Sequence, residues 1–312
     1  MDQTTRCAFI TLVGRPNVGK SSLLNAVIGQ KVAIVSDKPQ TTRSRITGVL
    51  TRGETQLVFL DTPGAHRPRT RLGEYMVKTI GEAVSGVDAA LLVVEPRLSG
   101  KGPRDGEDPI AGPAERELLE QLRKNRLPAV LAINKIDTLE DKRPLLACID
   151  RWRKEYDFAA ILPTSAVTGE GVEELIGELS AFAFDSPHFF PDDQVTDQPE
   201  RVLAAELIRE KMLRLLRQEI PHGVAVVTEG FKERQNGAGP VLDIDAVIYC
   251  EKDSHKGMII GKKGAMLREI GSQARQEMET LFGVKVNLQC WVKVKEDWRN
   301  RQGLLHSFGY QE

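Results

Sequence analysis

The chain has 312 residues, 41% hydrophobic and 28% charged, with 43 Lys and Arg set against 44 Asp and Glu. That length suggests two domains able to bury real cores, and a formal net charge of −1 excludes an overall polybasic pull toward nucleic acid or membrane. Cys7, Cys148, Cys250 and Cys290 are scattered without disulfide or metal spacing and read as reduced, buried thiols of a cytosolic protein.

The N-terminus runs straight into an apolar run at residues 7–13 that reads as a strand, so neither a signal nor a transit peptide is expected. Directly after it come Gly14, Arg15, Pro16, Asn17, Val18, Gly19, Lys20 and Ser21, the spacing of a phosphate-cradling loop. The glycines let backbone N–H groups close around a polyphosphate. Lys20 brings a point charge to the β- and γ-phosphates, and Ser21 brings a hydroxyl to Mg²⁺. Residues 22–28 read as an amphipathic helix whose positive dipole end faces that anion. A ligand-free glycine-rich turn is the alternative for this motif taken alone.

Residues 29–45 are a polar loop holding Gln40, Thr41, Thr42 and Arg43. A threonine here can reach Mg²⁺ through its hydroxyl and the γ-phosphate through its N–H, which would order the loop only when that phosphate is present. An ordinary Thr-rich loop is the rival reading. Strands at 46–50 and 56–60 follow, the second delivering Asp61, Thr62, Pro63 and Gly64 beyond the carboxyl end of a buried strand, where ligands of doubly wound sheets bind. There Asp61 can hold Mg²⁺ through water and the Gly64 N–H can meet the γ-phosphate. The next residue is Ala65, with no group to hold an attacking water, so the site is expected to be incomplete by itself and slow. Residues 67–71 form a basic, mobile-looking segment.

The most apolar segment, 84–94, is interrupted by Asp88 and too short to span a bilayer, so it belongs to the core; residues 89–94 read as an all-apolar strand of a parallel sheet covered on both faces. Residues 98–113 mix glycine, proline and charge and read as a mobile surface excursion without regular structure. A helix at 114–126 and a strand at 129–133 then lead to Asn134, Lys135, Ile136 and Asp137. The Asp137 carboxylate can accept from the ring N–H and exocyclic amine of guanine, whereas adenine presents an acceptor where that ring donor stands. Asn134 would tie the base loop to the phosphate loop, and the stem of Lys135 can cover the base. After a last strand at 160–162, the backbone N–H of Ala166, beside Ser165, could donate to the guanine carbonyl. Each motif alone is weak; their order and spacing make the set specific. An ATPase or kinase with the same phosphate loop is disfavoured by Asp137.

Residues 185–200 carry five acids, three prolines and no Lys or Arg, and read as a semi-rigid linker. Beyond it the pattern runs helix, strand, strand, helix, then Gly261, Lys262, Lys263 and Gly264, then helix and strand. Residues 254–295 hold eight Lys/Arg and three Asp/Glu, a basic patch in a nearly neutral chain. A lysine-filled Gly-x-x-Gly turn between helices is how KH modules clamp single-stranded nucleic-acid backbone. A small α/β domain that docks a protein instead remains the alternative for this half. His66 and His255 have no metal-ligand company.

Taken together, the motifs resemble the Era family of bacterial GTPases, in which a Ras-like GTP-binding domain precedes a type II KH domain. The resemblance covers nearly the whole chain. It implies an α/β fold, a doubly wound P-loop GTPase domain with a second, smaller α/β type II KH domain, divided as 1–184, a linker at 185–199, and 200–312. It favours Thr42 over Thr41 as the loop threonine, so that Ser21, Thr42 and Asp61 serve the metal and Lys20, Thr42 and Gly64 serve catalysis. The implied cofactors are GTP or GDP and Mg²⁺. The implied partners are the 3′ end of small-subunit ribosomal RNA and the 30S subunit, whose maturation it would serve. A cytoplasmic monomer with some peripheral inner-membrane association and no DNA partner is expected. The excursion at 98–113 has no counterpart in the resemblance.

Overall fold

The computed structural model describes residues 4–38, 40–64, 70–83, 86–97, 110–216, 220–237 and 239–310. They divide into two compact units. The first takes in residues 1–33, 42–67 and 76–197; the second takes in 34–41, 68–75 and 198–312.

In the first unit the described strands are β1 (Arg6–Val13), β2 (Ile46–Arg52), β3 (Thr55–Asp61), β4 (Ala89–Val94), β5 (Ala129–Ile133), β6 (Ala160–Pro163) and the two-residue β7 (Phe184–Asp185). The sheet order is β2-β3-β1-β4-β5-β6, parallel except for β2 and for β7, which pairs with the start of β1. Helices α1 (Lys20–Ile28), α2 (Arg71–Ala83, counted in this unit from residue 76), α3 (Pro113–Asn125), α4 (Leu145–Glu155) and α5 (Val172–Ser180) alternate with the strands.

Period-two alternation explains how an all-apolar strand serves both faces. Leu91 and Val93 of β4 pack with α1 and α5, while Ala90, Leu92 and Val94 pack with α3 and α4. The sheet is therefore doubly wound, and the carboxyl ends of β1, β3, β4, β5 and β6 open on one edge.

Within the apolar segment 84–94, β4 is the all-apolar run Ala89–Val94 expected from the sequence. Just before it, the Asp88 carboxylate accepts the Phe9 N–H at 2.7 Å and the Asp88 N–H donates to the Phe9 carbonyl at 2.9 Å. Residues 84–85 lie outside the described residues, as do Ala65, His66 and the rest of 65–69, which hold most of the basic segment, and residues 98–109 of the excursion. At the end of that excursion Ile110 and Ala111 are buried, and Pro113 opens α3 at a position where its missing N–H costs nothing.

Residues 188–197, within the stretch read as a linker, lie along the first unit's sheet. The Gln56 side chain accepts from the Phe189 and Phe190 N–H groups and donates to the Phe190 carbonyl, and the Val49 N–H donates to the Val195 carbonyl.

The second unit contains α6 (Glu200–Leu215), β8 (Ala225–Asn236), β9 (Gly239–Cys250), α7 (Asp253–Ile260), α8 (Ala265–Phe282), β10 (Lys285–Val294) and α9 (Gln302–Ser307). Its sheet has the order β10-β9-β8, with β9 parallel to β10 and antiparallel to β8. Ile270, Ala274 and Met278 of α8, four residues apart, form a buried stripe over it.

Helix α6 also buries Arg209, Glu210 and Lys211 in succession, which is tolerable only because each is paired. Glu210 accepts from Lys211 at 3.0 Å and from the Val35 N–H at 2.8 Å, and Arg209 binds Glu206 and the Thr41 carbonyl. Among the described residues no helix is long and apolar enough to cross a membrane, and the four cysteines are free thiols.

Candidate nucleotide site and nucleic-acid interface

Gly14 to Ser21 leave the end of β1 and turn into α1. Gly19 has φ +93°, and a Cβ there would come within 2.3 Å of the Asn134 amide nitrogen, so both conformation and space require glycine. Asn17 is also left-handed, at φ +66°, a conformation asparagine tolerates. Val18 is buried, and Pro16 lies under Gly64. Arg15 sends its guanidinium to the buried Glu115 carboxylate of α3. Lys20 is 6% exposed, and its ammonium donates to the Gly14 carbonyl at 3.2 Å and the Arg15 carbonyl at 3.1 Å. Burial lowers its pKa, and the nearby Asp61 carboxylate offsets part of that.

Three oxygen donors from three separate elements meet beside Lys20. The Ser21 hydroxyl donates to Asp61 Oδ2 at 2.6 Å and lies 2.9 Å from the Thr42 hydroxyl, which is 3.5 Å from the same carboxylate oxygen. Thr41 is spent differently, its hydroxyl donating to the Lys38 carbonyl at 2.7 Å. Asp61 is fully buried, and its Oδ1 has no hydrogen-bond partner. Burial raises its pKa, with Lys20, Ser21, Thr42 and the Thr62 N–H pulling the other way. An all-oxygen set with one buried, unspent carboxylate oxygen fits a hard divalent cation such as Mg²⁺. Thr62 is held by donating to the Leu12 carbonyl at 2.7 Å, and buried Pro63 and then Gly64 follow on the phosphate-loop side.

At the other end of the edge, the Asn134 amide donates to the Val18 carbonyl at 3.0 Å and accepts the Ala166 N–H at 3.1 Å, joining three loops through one buried side chain. Ile136 is buried beneath its loop. The Asp137 carboxylate accepts from the Ser165 hydroxyl at 2.6 Å. Lys135, left-handed at φ +68°, donates to the Asn17 carbonyl at 2.5 Å and pairs with Glu95, which follows β4. Glu95 was not visible from sequence: an acid after a strand has no motif of its own.

In the second unit, Gly261 (φ +70°) and Gly264 (φ +78°) bracket Lys262 and Lys263, both exposed, between α7 and α8. A Cβ on Gly261 would meet Met266 Cβ at 2.7 Å. The turn opens onto a groove of about 420 Å³ along α8, floored by Leu267, Leu288 and Cys290 and edged by Arg268 and Arg275. Burial pushes the Cys290 thiol up to about 11, so it is an apolar wall and not a nucleophile. From sequence these arginines are only part of the basic patch at 254–295, without an assigned role. The arginines four to eleven residues beyond the turn, on the face of α8 beside the groove, are a recognisable helical pattern only once that face is known.

The family model described as 50S ribosome-binding GTPase matches residues 9–135, and a KH domain model matches residues 219–299. The chain is 49% identical over 307 residues to the GTPase Era of Clostridioides difficile, covering 98% of this chain and 99% of the relative. It is 47% identical over 306 residues to that of Ruminiclostridium cellulolyticum, covering 98% of each. Among solved structures, an Aquifex aeolicus Era variant bound to GDP and AlF4⁻ superposes with a TM-score of 0.89 at 37% identity, over 99% of this chain and 100% of that one. An Era in complex with MgGDPNP and nucleotides 1506–1542 of 16S ribosomal RNA gives a TM-score of 0.89 at 36% identity, with the same coverage.

Proposed function

The chain belongs to the Era family of GTPases, and from that premise we propose that it is a switch that hydrolyses GTP to GDP with Mg²⁺ and binds single-stranded small-subunit ribosomal RNA through its KH domain. The reading rests on one observation above the others. Ser21, Thr42 and Asp61 converge beside Lys20 at one end of the sheet edge, while Asn134, Asp137, Ser165 and Ala166 are linked at the other.

Each residue has a role in this reading. The N–H groups of Gly14 to Ser21, Pro16 excepted, and the Lys20 ammonium bind the polyphosphate, and Ser21, Thr42 and Asp61 would hold the metal. A bound Mg²⁺ would supply neutralisation of the polyphosphate's negative charge. Lys20 and the N–H groups of Thr42 and Gly64 stabilise the transferring phosphoryl group, and Thr62 and Pro63 hold Gly64 in place. Asp137 selects guanine, with Asn134, Lys135, Ile136, Ser165 and Ala166 shaping the base loop.

Gly261, Lys262, Lys263 and Gly264 take the RNA backbone, and the groove edged by Arg268 and Arg275 takes the bases beside it. The related Era solved with nucleotides of 16S ribosomal RNA supports this over docking of a protein. The reading extends to the 30S subunit as the particle presenting this RNA, to a role in its assembly, and to a cytoplasmic protein with peripheral inner-membrane contact; family membership supports these. The proposed division is a GTP-binding domain at 1–184, a linker at 185–199 and a KH domain at 200–312.

The test is binding of a single-stranded RNA carrying the small-subunit 3′ end to the full chain across a salt series. Lys262→Asp with Lys263→Asp should abolish that binding, because like charge then faces the phosphates, and leave GDP binding as it was. Retained RNA binding with the same salt slope would move the backbone contact elsewhere.

A further inference from the structure

Glu115 sits in the first turn of α3, is 1% exposed, and belongs to none of the nucleotide motifs. Its Oε1 receives Arg15 of the phosphate loop, and the Arg97 guanidinium lies 3.7 Å from the same oxygen. Its other oxygen, Oε2, is buried without a hydrogen-bond partner. The seat is closed around it: a Cβ on Gly112 would stand 2.8 Å from Oε2 and 3.3 Å from Arg97. Arg97 is in turn anchored by donating to the Ile110 carbonyl at 3.0 Å.

A fully buried carboxylate is costly unless it is paired, so Glu115 holds Arg15 to it. What the pairing holds is the loop itself. The backbone carbonyls of Gly14 and Arg15 are the acceptors of the Lys20 ammonium, so fixing the Arg15 side chain fixes the peptide planes that Lys20 reads. A second arm reaches the same loop two residues on, where Glu95 pairs Lys135 and Lys135 donates to the Asn17 carbonyl. Glu95 and Arg97, two residues apart after β4, thus each reach the loop through an intermediary, Glu95 through Lys135 to the Asn17 carbonyl and Arg97 beside the Glu115 carboxylate that holds Arg15.

We propose that Glu115 is a positioning residue for guanine-nucleotide retention, holding the phosphate loop through Arg15 in the conformation that receives the polyphosphate. Preorganised loops bind more tightly because the ordering cost is met before the ligand arrives, and affinity differences among variants of one site fall mostly on the dissociation rate. The inference rests on the nucleotide reading above.

The test is the release rate of a fluorescent GDP analogue from the full chain. Glu115→Gln keeps the size of the side chain and removes its charge; release is expected to be about tenfold faster. Arg15→Ala should give a similar rise, and the double variant no further rise, since both remove one interaction. A role confined to stability would lower the melting temperature of the nucleotide-free chain and leave release from folded protein unchanged. That outcome, or rises that add in the double variant, overturns the proposal. Should Glu115→Gln not fold, Glu115→Asp keeps the charge and loses reach, so faster release is again expected and unchanged release again overturns it. Failure of the unsubstituted chain to retain GDP would instead sink the nucleotide reading.

Discussion

The Asp137 carboxylate accepts one hydrogen bond from Ser165 and keeps its remaining lone pairs for a ligand. Asp137→Asn replaces acceptors by a donor, which suits the carbonyl of xanthine where guanine has its amine. Competition binding should show GTP weakened by several powers of ten and xanthosine triphosphate favoured; an unaltered preference for GTP would remove Asp137 from the base pocket. Gly19 makes a different kind of demand. Gly19→Ala forces a Cβ into left-handed backbone and against the Asn134 amide, which is the tie to Val18. Left-handed strain and one lost buried hydrogen bond together cost about 2 kcal/mol. Urea unfolding of the nucleotide-free chain checks this, and a variant as stable as the parent would show that the loop relaxes freely.

At the scale of elements, the segment 188–197 is held to the first unit by named side chains, and one of them titrates. Burial pulls the His188 pKa down. The Asp192 carboxylate 2.6 Å from Nδ1 and the Glu54 carbonyl 3.1 Å from Nε2 outweigh that and leave it above the ordinary imidazole value. A raised pKa in the folded state means that the protonated ring stabilises the fold. That contribution is present below about pH 6.5, the unfolded value, and is lost as the pH rises through the folded one. Asp192→Asn should therefore lower the ring's titration midpoint by NMR and destabilise the chain at pH 6 but not at pH 8.5. Equal destabilisation at both would make the pair a packing contact only.

For the molecule as a whole, the proposed GTPase reading leaves the loop after β3 short of one function. Positioning and electrostatics supply nearly all of phosphoryl-transfer catalysis, and the residue after Gly64 is alanine, which cannot orient a water. Single-turnover hydrolysis by the purified chain should be slow, about 10⁻⁴ to 10⁻² s⁻¹, the range of unassisted switch GTPases. RNA should raise it if ordering of the Thr42 loop completes the site. Fast hydrolysis without a partner would refute the incomplete site, whereas equal slow rates with and without RNA would refute the coupling.

The nucleotide motifs were legible in the sequence because each is local. A phosphate loop needs its glycines, lysine and serine within eight residues, and parallel strands buried on both faces must be continuous apolar runs such as Ala89–Val94. Those constraints act within one turn or one strand and leave their mark there. The motifs already implied that Ser21, Thr42 and Asp61 would meet and that Asn134 would tie two loops; what only the tertiary structure decided are the meetings without a motif: Asn134 with Ala166, Glu95 with Lys135, and Glu115 with Arg15. A glutamate in the first turn of a helix is ordinary on dipole grounds alone. Only the fold shows that this one is buried against the phosphate loop, because ion pairing acts through space and carries no sequence spacing.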